Sequence, residues 1–523
     1  METFQPYWPE TIFFIGAGAT APLGMATTKG IGESITILTN EKIPLKERIR
    51  LAYQMERKEI LEEMMGLFLF FEDQPENSVK YGNTIGFNRK RRKELLQIFD
   101  WPSLKKMTKR CPRHDKILST QDLFNLIDMS IQSKQGVYVD NEFIPPERMK
   151  ATRNMLVLLI SLLHKVNYLQ SLQLKSSLFD QYYGFAKILT ELMVEEGLKR
   201  AREYELNERA FYLFSYAIIN MNWDPLFLWF IFNAHKEWND QKEGTGVGKK
   251  YHVPLKLFND MAHFMAVRSV EETTPEAWFP LNETAVLRLN NEEHVTDRRV
   301  RIGKFYFPHG SHGFRECPNC GKLTFFLGNE WKVKTDSLFP PSIIPSLAKG
   351  NRPKSIEEKR AYEEGAYDAL QCPHCGSLTY AYHTPIIMQT NFKGSYPPYI
   401  EEIQRDMKVA VSKAKHIILF GYSLPSDDIQ YRSMLAAKKN DGVKCSLVNF
   451  HEHGPDQWLY GDDLKQFIQS HPHDSVSEIA KQVIDLFGKE HVRAYLAGIP
   501  KVFTENNHVS RKKVEQLLHW DRG

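Results

Sequence analysis

Short apolar runs that end in glycine or a polar residue recur along the chain and alternate with longer stretches of helical spacing. "TIFFIGAGAT" is an apolar run closing on Gly16-Ala17-Gly18, the pattern of a buried strand entering a turn. "FSYAIINMN", "ETAVLRLN", "VRIGKFYFPHG", "HIILFGYSL" and "VKCSLVNF" read as further strands. "PLFLWFIFNAH", "PYIEEIQRDMKVAVSKA" and "DDIQYRSMLAAKK" read as helices between or after them. Strands alternating with helices predict an α/β fold with a parallel sheet covered on both faces. The stretch after Gly454 reads as helical and ends in "RKKVEQLLHW".

Residues 34–205 break this alternation and read as a helical insertion. "LKERIRLAYQMERKEILEEMMGLFLFF", "MLVLLISLLHKVNYLQSL" and "FDQYYGFAKILTELMVEEGLKRAREYEL" keep helical spacing. The loops of this block are basic. The run Arg89 to Lys93 reads either as a solvated helix start or as a contact for an anionic partner. Inside "CPNC…CPHC", the stretch "KSIEEKRAYEEGAYDAL" reads as a charged helix.

Composition narrows the class. The chain has 523 residues, room for two to four structural units. Its 68 basic and 64 acidic residues leave a net charge of +4, which argues against a general nucleic-acid binder. The N-terminus has no basic segment leading into an apolar one, so no signal peptide is expected. Met155 to Leu163 is too short to span a bilayer, and Phe211 to Phe232 is interrupted by Asn220, Asn222, Asp224 and Pro225. A cytoplasmic protein with no membrane segment is expected.

Four of the six cysteines form two C-P-x-C-G knuckles, Cys317 with Cys320 and Cys372 with Cys375. Two such pairs supply the four thiolates of a tetrahedral zinc site. Four protein ligands close the coordination sphere, so this zinc is expected to be structural. His312 and His374 are then surplus to it. The glycine turn at residues 16–18 suits a phosphate, because small residues let backbone N–H groups approach, but a plain strand–helix turn has the same pattern. "NMNWDP" puts Asn222 and Asp224 at a strand's C-terminal end, where open parallel sheets bind ligands. Asp224-Pro225 also reads as an N-cap and first helical residue. Gly421, Ser423 and Asn449 end two further strands.

Taken in order, these motifs resemble the sirtuin (silent information regulator) family. "GAGAT…GM", "NWD", "PHGS", the two C-x-x-C pairs, "FGYSL" and "LVN" are similar to its cofactor loop, Asn-x-Asp turn, His-Gly motif, zinc module, late Gly-x-Ser loop and ribose-binding Asn. The resemblance implies a Rossmann-like doubly wound sheet that binds NAD. Residues 1–33, 206–316 and 378–453 would form it, with the helical insertion 34–205, a zinc module 317–377 and a helical tail 454–523. Gly16, Ala17, Gly18 and Thr20 would contact the phosphates and ribose of NAD. Asn222 and Asp224 would hold the nicotinamide ribose and carboxamide. Gly421, Ser423 and Asn449 would hold the adenosine side. His309 would be the catalytic base, with His312 as the competing candidate.

Departures from the family pattern bear on the substrate. "GMATTKG" lacks the Pro-Asp-Phe-Arg that follows the first loop in protein deacetylases, Met221 stands where they carry Gln, and "PIIMQTNFKGSY" lacks their Phe-Gly-Glu strand. The chain is similar in this to bacterial sirtuin-like proteins of antiphage defence, which cleave NAD to nicotinamide and ADP-ribose. That resemblance implies an NAD-depleting enzyme, a homo-oligomer and an activating protein partner. Two alternatives stay open: NAD-dependent deacylation or ADP-ribosyl transfer to a protein, and a non-catalytic nucleotide-sensing module.

Overall fold

The structure, a computed structural model, describes residues 9–72, 77, 80–81, 89–139, 141–200, 216–240, 266–268, 276–277, 304–316, 323–326, 355–357, 360, 370–371, 378–379, 386–387 and 398–520. Seven strands make the main sheet: β1 (Thr11–Ile15), β2 (Tyr216–Asn220), β3 (Lys304–Tyr306), β4 (His416–Phe420), β5 (Lys444–Val448), β6 (Trp458–Tyr460) and β7 (Val492–Tyr495). Their order is β6-β7-β5-β4-β1-β2-β3. All pairs are parallel except β6 with β7. This is a mostly parallel α/β sheet of Rossmann-like type. The chain runs from β1 out to β2 and β3, then returns to place β4 on the other side of β1. The gap between β1 and β4 is therefore the point where strand order reverses, the place such sheets keep for ligands.

β1 is buried along its whole length, which its continuous apolar run requires of a central strand covered on both faces. Phe13 lies edge-on to Tyr216 and to Phe420, so the three central strands lock together through aromatic pairs. The ladder continues one residue past the strands: Gly16 N donates to Phe420 O, Met221 N to Ile15 O, Gly421 N to Val448 O and Asn449 N to Tyr495 O.

Residues 454–523 are not a helical tail. They supply the two strands β6 and β7 as well as helices. The reason is a buried arginine: Arg493 lies between the rings of Trp458 and Trp520 and donates to Ser446 Oγ and to the carbonyls of Gln516 and Leu517. An inward-facing arginine spoils the apolar signature of a strand while its stacked guanidinium fills the core.

The helical block differs in two places. The stretch read as one helix from Leu45 is two, α1 (Leu45–Ala52) and α2 (Lys58–Phe71), parted at Gln54 with φ +47°. The apolar run at Met155 belongs to a much longer helix, α3 (Pro146–Leu174). It is the one helix among the described residues long and apolar enough to cross a membrane, yet 67% of its apolar window is buried inside the chain. The block has its own core, gathering Phe68, Trp101 and Met155, distinct from the core of the sheet. The helix α4 (Ser176–Arg200), expected within the insertion, joins the sheet's core instead: Phe185 stacks on Phe420 and on Phe503. "ETAVLRLN" and most of "KSIEEKRAYEEGAYDAL" lie outside the described residues.

The two loops beyond β1 and β4 touch backbone to backbone. A Cβ on Gly421 would lie 2.2 Å from Ala19 N, at a φ of +63°. Gly442 has a similar φ of +67°, but there a Cβ meets only His491 Cε1 at 4.0 Å. Gly442→Ala should therefore carry only the left-handed backbone cost, about 1–2 kcal/mol. Gly421→Ala adds an overpacking cost and should lose about 3 kcal/mol or more. Chemical denaturation of the two variants checks the order; equal losses would contradict the close contact.

Candidate active site

The pocket lies at the C-terminal edge of the sheet. Its cavity volume is about 40 Å³, room for a few waters and well below the range of about 300–1,000 Å³ usual for small-molecule sites, so a larger ligand would have to part its walls. The loop after β1 contributes Ala17, Thr20 and Ala26, the helix that follows it, Thr28–Leu38, contributes Thr28 and Ile31, and the turn after β2 contributes Met221, Asn222, Trp223 and Asp224. His309 enters from the loop after β3, and His164 from α3. Ala17, Thr20, Asn222, Asp224 and His309 are thus brought together as expected.

The turn after β2 is built by its own side chains. Asn220 Nδ2 donates to Asp224 O, and Asn220 Oδ1 accepts from Asn222 N. Asn222 Nδ2 then reaches Gly16 O at 2.9 Å. A carbonyl accepts only from the amide nitrogen, so this bond fixes which way the Asn222 amide faces. Its Oδ1 has no donor among the described residues and remains an acceptor for a ligand hydroxyl or water.

Asp224 is more committed than expected. Its Oδ1 accepts from Leu226 N and caps the following helix, Leu226–Asp240. Its Oδ2 accepts from Thr20 Oγ1 at 3.0 Å. Both readings of this residue hold: it is the helix cap, and it lines the pocket. Burial raises its carboxyl to about 6, against the hydrogen bonds from Thr20 and the backbone.

His309 is buried. Its Nδ1 lies 3.3 Å from Met221 O, so this nitrogen carries the proton. Its Nε2 is 3.5 Å from Asp428 Oδ1. Asp428 in turn accepts from Tyr422 Oη at 2.5 Å, and Tyr431 packs edge-on to the imidazole at 5.2 Å. Gln404 Nε2 holds the carbonyl of Pro308 from below. A proton taken up at Nε2 would have the Asp428 carboxylate beside it to balance the charge.

Gly16 and Gly18 form the loop's backbone, with Gly18 N donating to Gly421 O. Gly421, Ser423 and Asn449 do not line this pocket. They extend away from it along the same sheet edge, over the ends of β4 and β5. Ser423 is exposed, and Asn449 Oδ1 accepts from Phe450 N. Cys317, Cys320, Cys372 and Cys375 lie outside the described residues. Among the described residues, no group of three or more potential ligands is placed to hold a metal.

Three contributors escaped the sequence reading. His164 sits at the end of an apolar run whose spacing announces only core. Asp428 ends "SLPSDD", which reads as a helix start, and Tyr431 lies just beyond it. The competing His312 does not itself line the pocket; it stands directly behind the lining, fixed between Ser161 and His164.

The raised Asp224 carboxyl has a measurable sign. Between the unfolded value near 3.8 and the folded value of about 6, the native state holds more protons than the unfolded one. Its contribution to stability is full at low pH and lost as pH rises through about 6. Asp224→Asn should remove this component, which is on the order of 2–3 kcal/mol. Unfolding curves of wild type and variant between pH 4.5 and pH 7.5, values set about the shift, check it; parallel pH dependences would count against a buried, titrating Asp224.

The chain matches no protein-family model, and no curated protein is similar to it.

Proposed function

We propose that the chain is a sirtuin-like NAD hydrolase that releases nicotinamide and ADP-ribose, acting as an NAD-depleting effector in antiphage defence. The observation that carries this reading is the convergence of Asn222, His309 and the glycine loop on one pocket over the C-terminal ends of β1, β2 and β3. NAD would lie across the edge of the sheet, with its nicotinamide riboside in the pocket and its adenosine towards Gly421, Ser423 and Asn449.

In this reading the bond from ribose C1′ to the pyridinium nitrogen breaks with its electron pair leaving on nicotinamide. That neutralises the ring, so the leaving group needs no acid. The residue left on C1′ has oxocarbenium character, and water closes it. Asn222 Oδ1 orients a ribose hydroxyl or the water, and Asn222 is itself held by Gly16 O. His309 accepts the proton at Nε2, and Asp428 balances the imidazolium. Asp224 holds the turn and offers its remaining lone pairs to the carboxamide.

The test is the purified chain with NAD, read by free nicotinamide and ADP-ribose. Asn222→Ala and His309→Ala should each lower kcat by about 100-fold or more. Normal hydrolysis by both variants would overturn the assignment. Nicotinamide released only with an acylated peptide or protein acceptor would move the reaction to deacylation or transfer. Binding of NAD without release would move it to a sensing module.

For the two cysteine knuckles we propose a structural tetrathiolate zinc. Metal analysis should return about one zinc per chain, and Cys317→Ser or Cys372→Ser should lower that figure together with the thermal midpoint. A full zinc content in both variants would remove these cysteines as ligands.

A further inference from the structure

Two histidines meet in the wall between the helical block and the pocket. His164 comes from α3, and His312 from the loop that also carries His309. His164 Nδ1 and His312 Nε2 are 2.8 Å apart. His312 Nδ1 is 2.7 Å from Ser161 Oγ, one turn before His164 on the same helix. His164 Nε2 faces Ala26 O at 3.4 Å. His164 lines the pocket, and both imidazoles are buried.

With both rings neutral, these distances admit one arrangement of protons. A carbonyl only accepts, so His164 Nε2 donates to Ala26 O and His164 Nδ1 is left as an acceptor. His312 Nε2 must then donate to His164, and His312 Nδ1 accepts from the Ser161 hydroxyl. Both rings are neutral and both carry the proton on Nε2. A second proton on His164 would set its Nδ1–H against the His312 Nε2–H unless His312 changed tautomer and turned its Nδ1–H to Ser161 Oγ. Burial agrees with this, since it depresses His164 to about 4.

The chain of bonds joins every segment of the pocket. Ala26 belongs to the loop after β1. The backbone N of His312 and Ser311 Oγ both donate to Trp223 O, in the turn that carries Asn222 and Asp224. Trp223 Nε1 donates to Ile387 O, and Ile387 N donates to His309 O. Trp223 belongs to the core of the helical block, not to that of the sheet.

We propose that Ser161, His312 and His164 form a relay through which the helical block sets the geometry of the pocket, making His164 and His312 positioning residues for the reaction. The inference rests on the hydrolase reading in its kinetic part only. A relay of this kind lets a partner bound to the helical block tighten or loosen the site without touching it, because moving α3 moves Ala26 and Trp223 together.

The experiment has two arms on the full chain. In the first, nitrogen-15 NMR of the histidine side chains at pH 7 should find both rings neutral with the proton on Nε2. In the same arm, hydrogen exchange across residues 24–28 and 221–224 should quicken in His312→Phe and in Ser161→Ala. In the second, NAD turnover by His164→Phe, His312→Phe and the double variant should show kcat lowered about tenfold with KM within about twofold. The double variant should be no slower than the worse single one, because the two residues act as one unit. A different tautomer, unchanged exchange or unchanged kcat would overturn the relay. Losses in kcat that multiply in the double variant would also overturn it. A wild-type chain that releases no nicotinamide sinks the hydrolase reading, while the first arm still decides the relay.

Discussion

The site depends on a contact between two stretches of backbone that carry no side chains. Gly16 and Gly18 lie against Gly421, close enough that a Cβ on any of the three would fall within 3 Å of a backbone atom. This contact lets the loops after two neighbouring parallel strands share one small space. It holds Gly16 O where Asn222 can reach it and turns the following segment towards Thr20, which reaches Asp224. The acceptor on Asn222 is oriented because the glycine loop is, and the glycine loop is oriented because nothing projects from Gly421.

A second dependence runs through Trp223. Its indole sits in the core of the helical block, next to Phe124, while its backbone closes the turn that carries the catalytic candidates. The block is thus more than an ornament inserted into an α/β sheet. One of its helices gives the pocket a histidine, and its core grips the turn that shapes the other wall. The helix α4, although adjacent in sequence to that block, packs into the core of the sheet with Phe420 and Phe503.

What the sequence disclosed follows from burial. The strands β1, β2 and β4 are five-residue, mainly apolar runs because the sheet covers them on both faces, and such runs are visible without neighbours. Asn222, Asp224 and His309 were legible because they interrupt apolar stretches. The strands β6 and β7 were not, since "WLY" and "VRAY" are short and one holds an arginine whose partners are distant tryptophans. His164 was hidden for the opposite reason: a histidine at the end of the apolar run Met155 to Leu163 has no local signature, and its partner lies 148 positions away. The pairing of His309 with Asp428 spans 119 positions and depends on two loops meeting above the sheet, which no local pattern encodes.

The order of the strands has a consequence for synthesis. The central strand leaves the ribosome first, yet its neighbour β4 begins more than 400 residues later. Contacts of such sequence separation form late, after the entropy of closing a very long loop has been met. A growing chain therefore carries Asn222 and His309 long before it carries Gly421 or Asp428. Until translation has passed Asp428, His309 has no carboxylate beside its Nε2 and the glycine loop has no Gly421 to rest against.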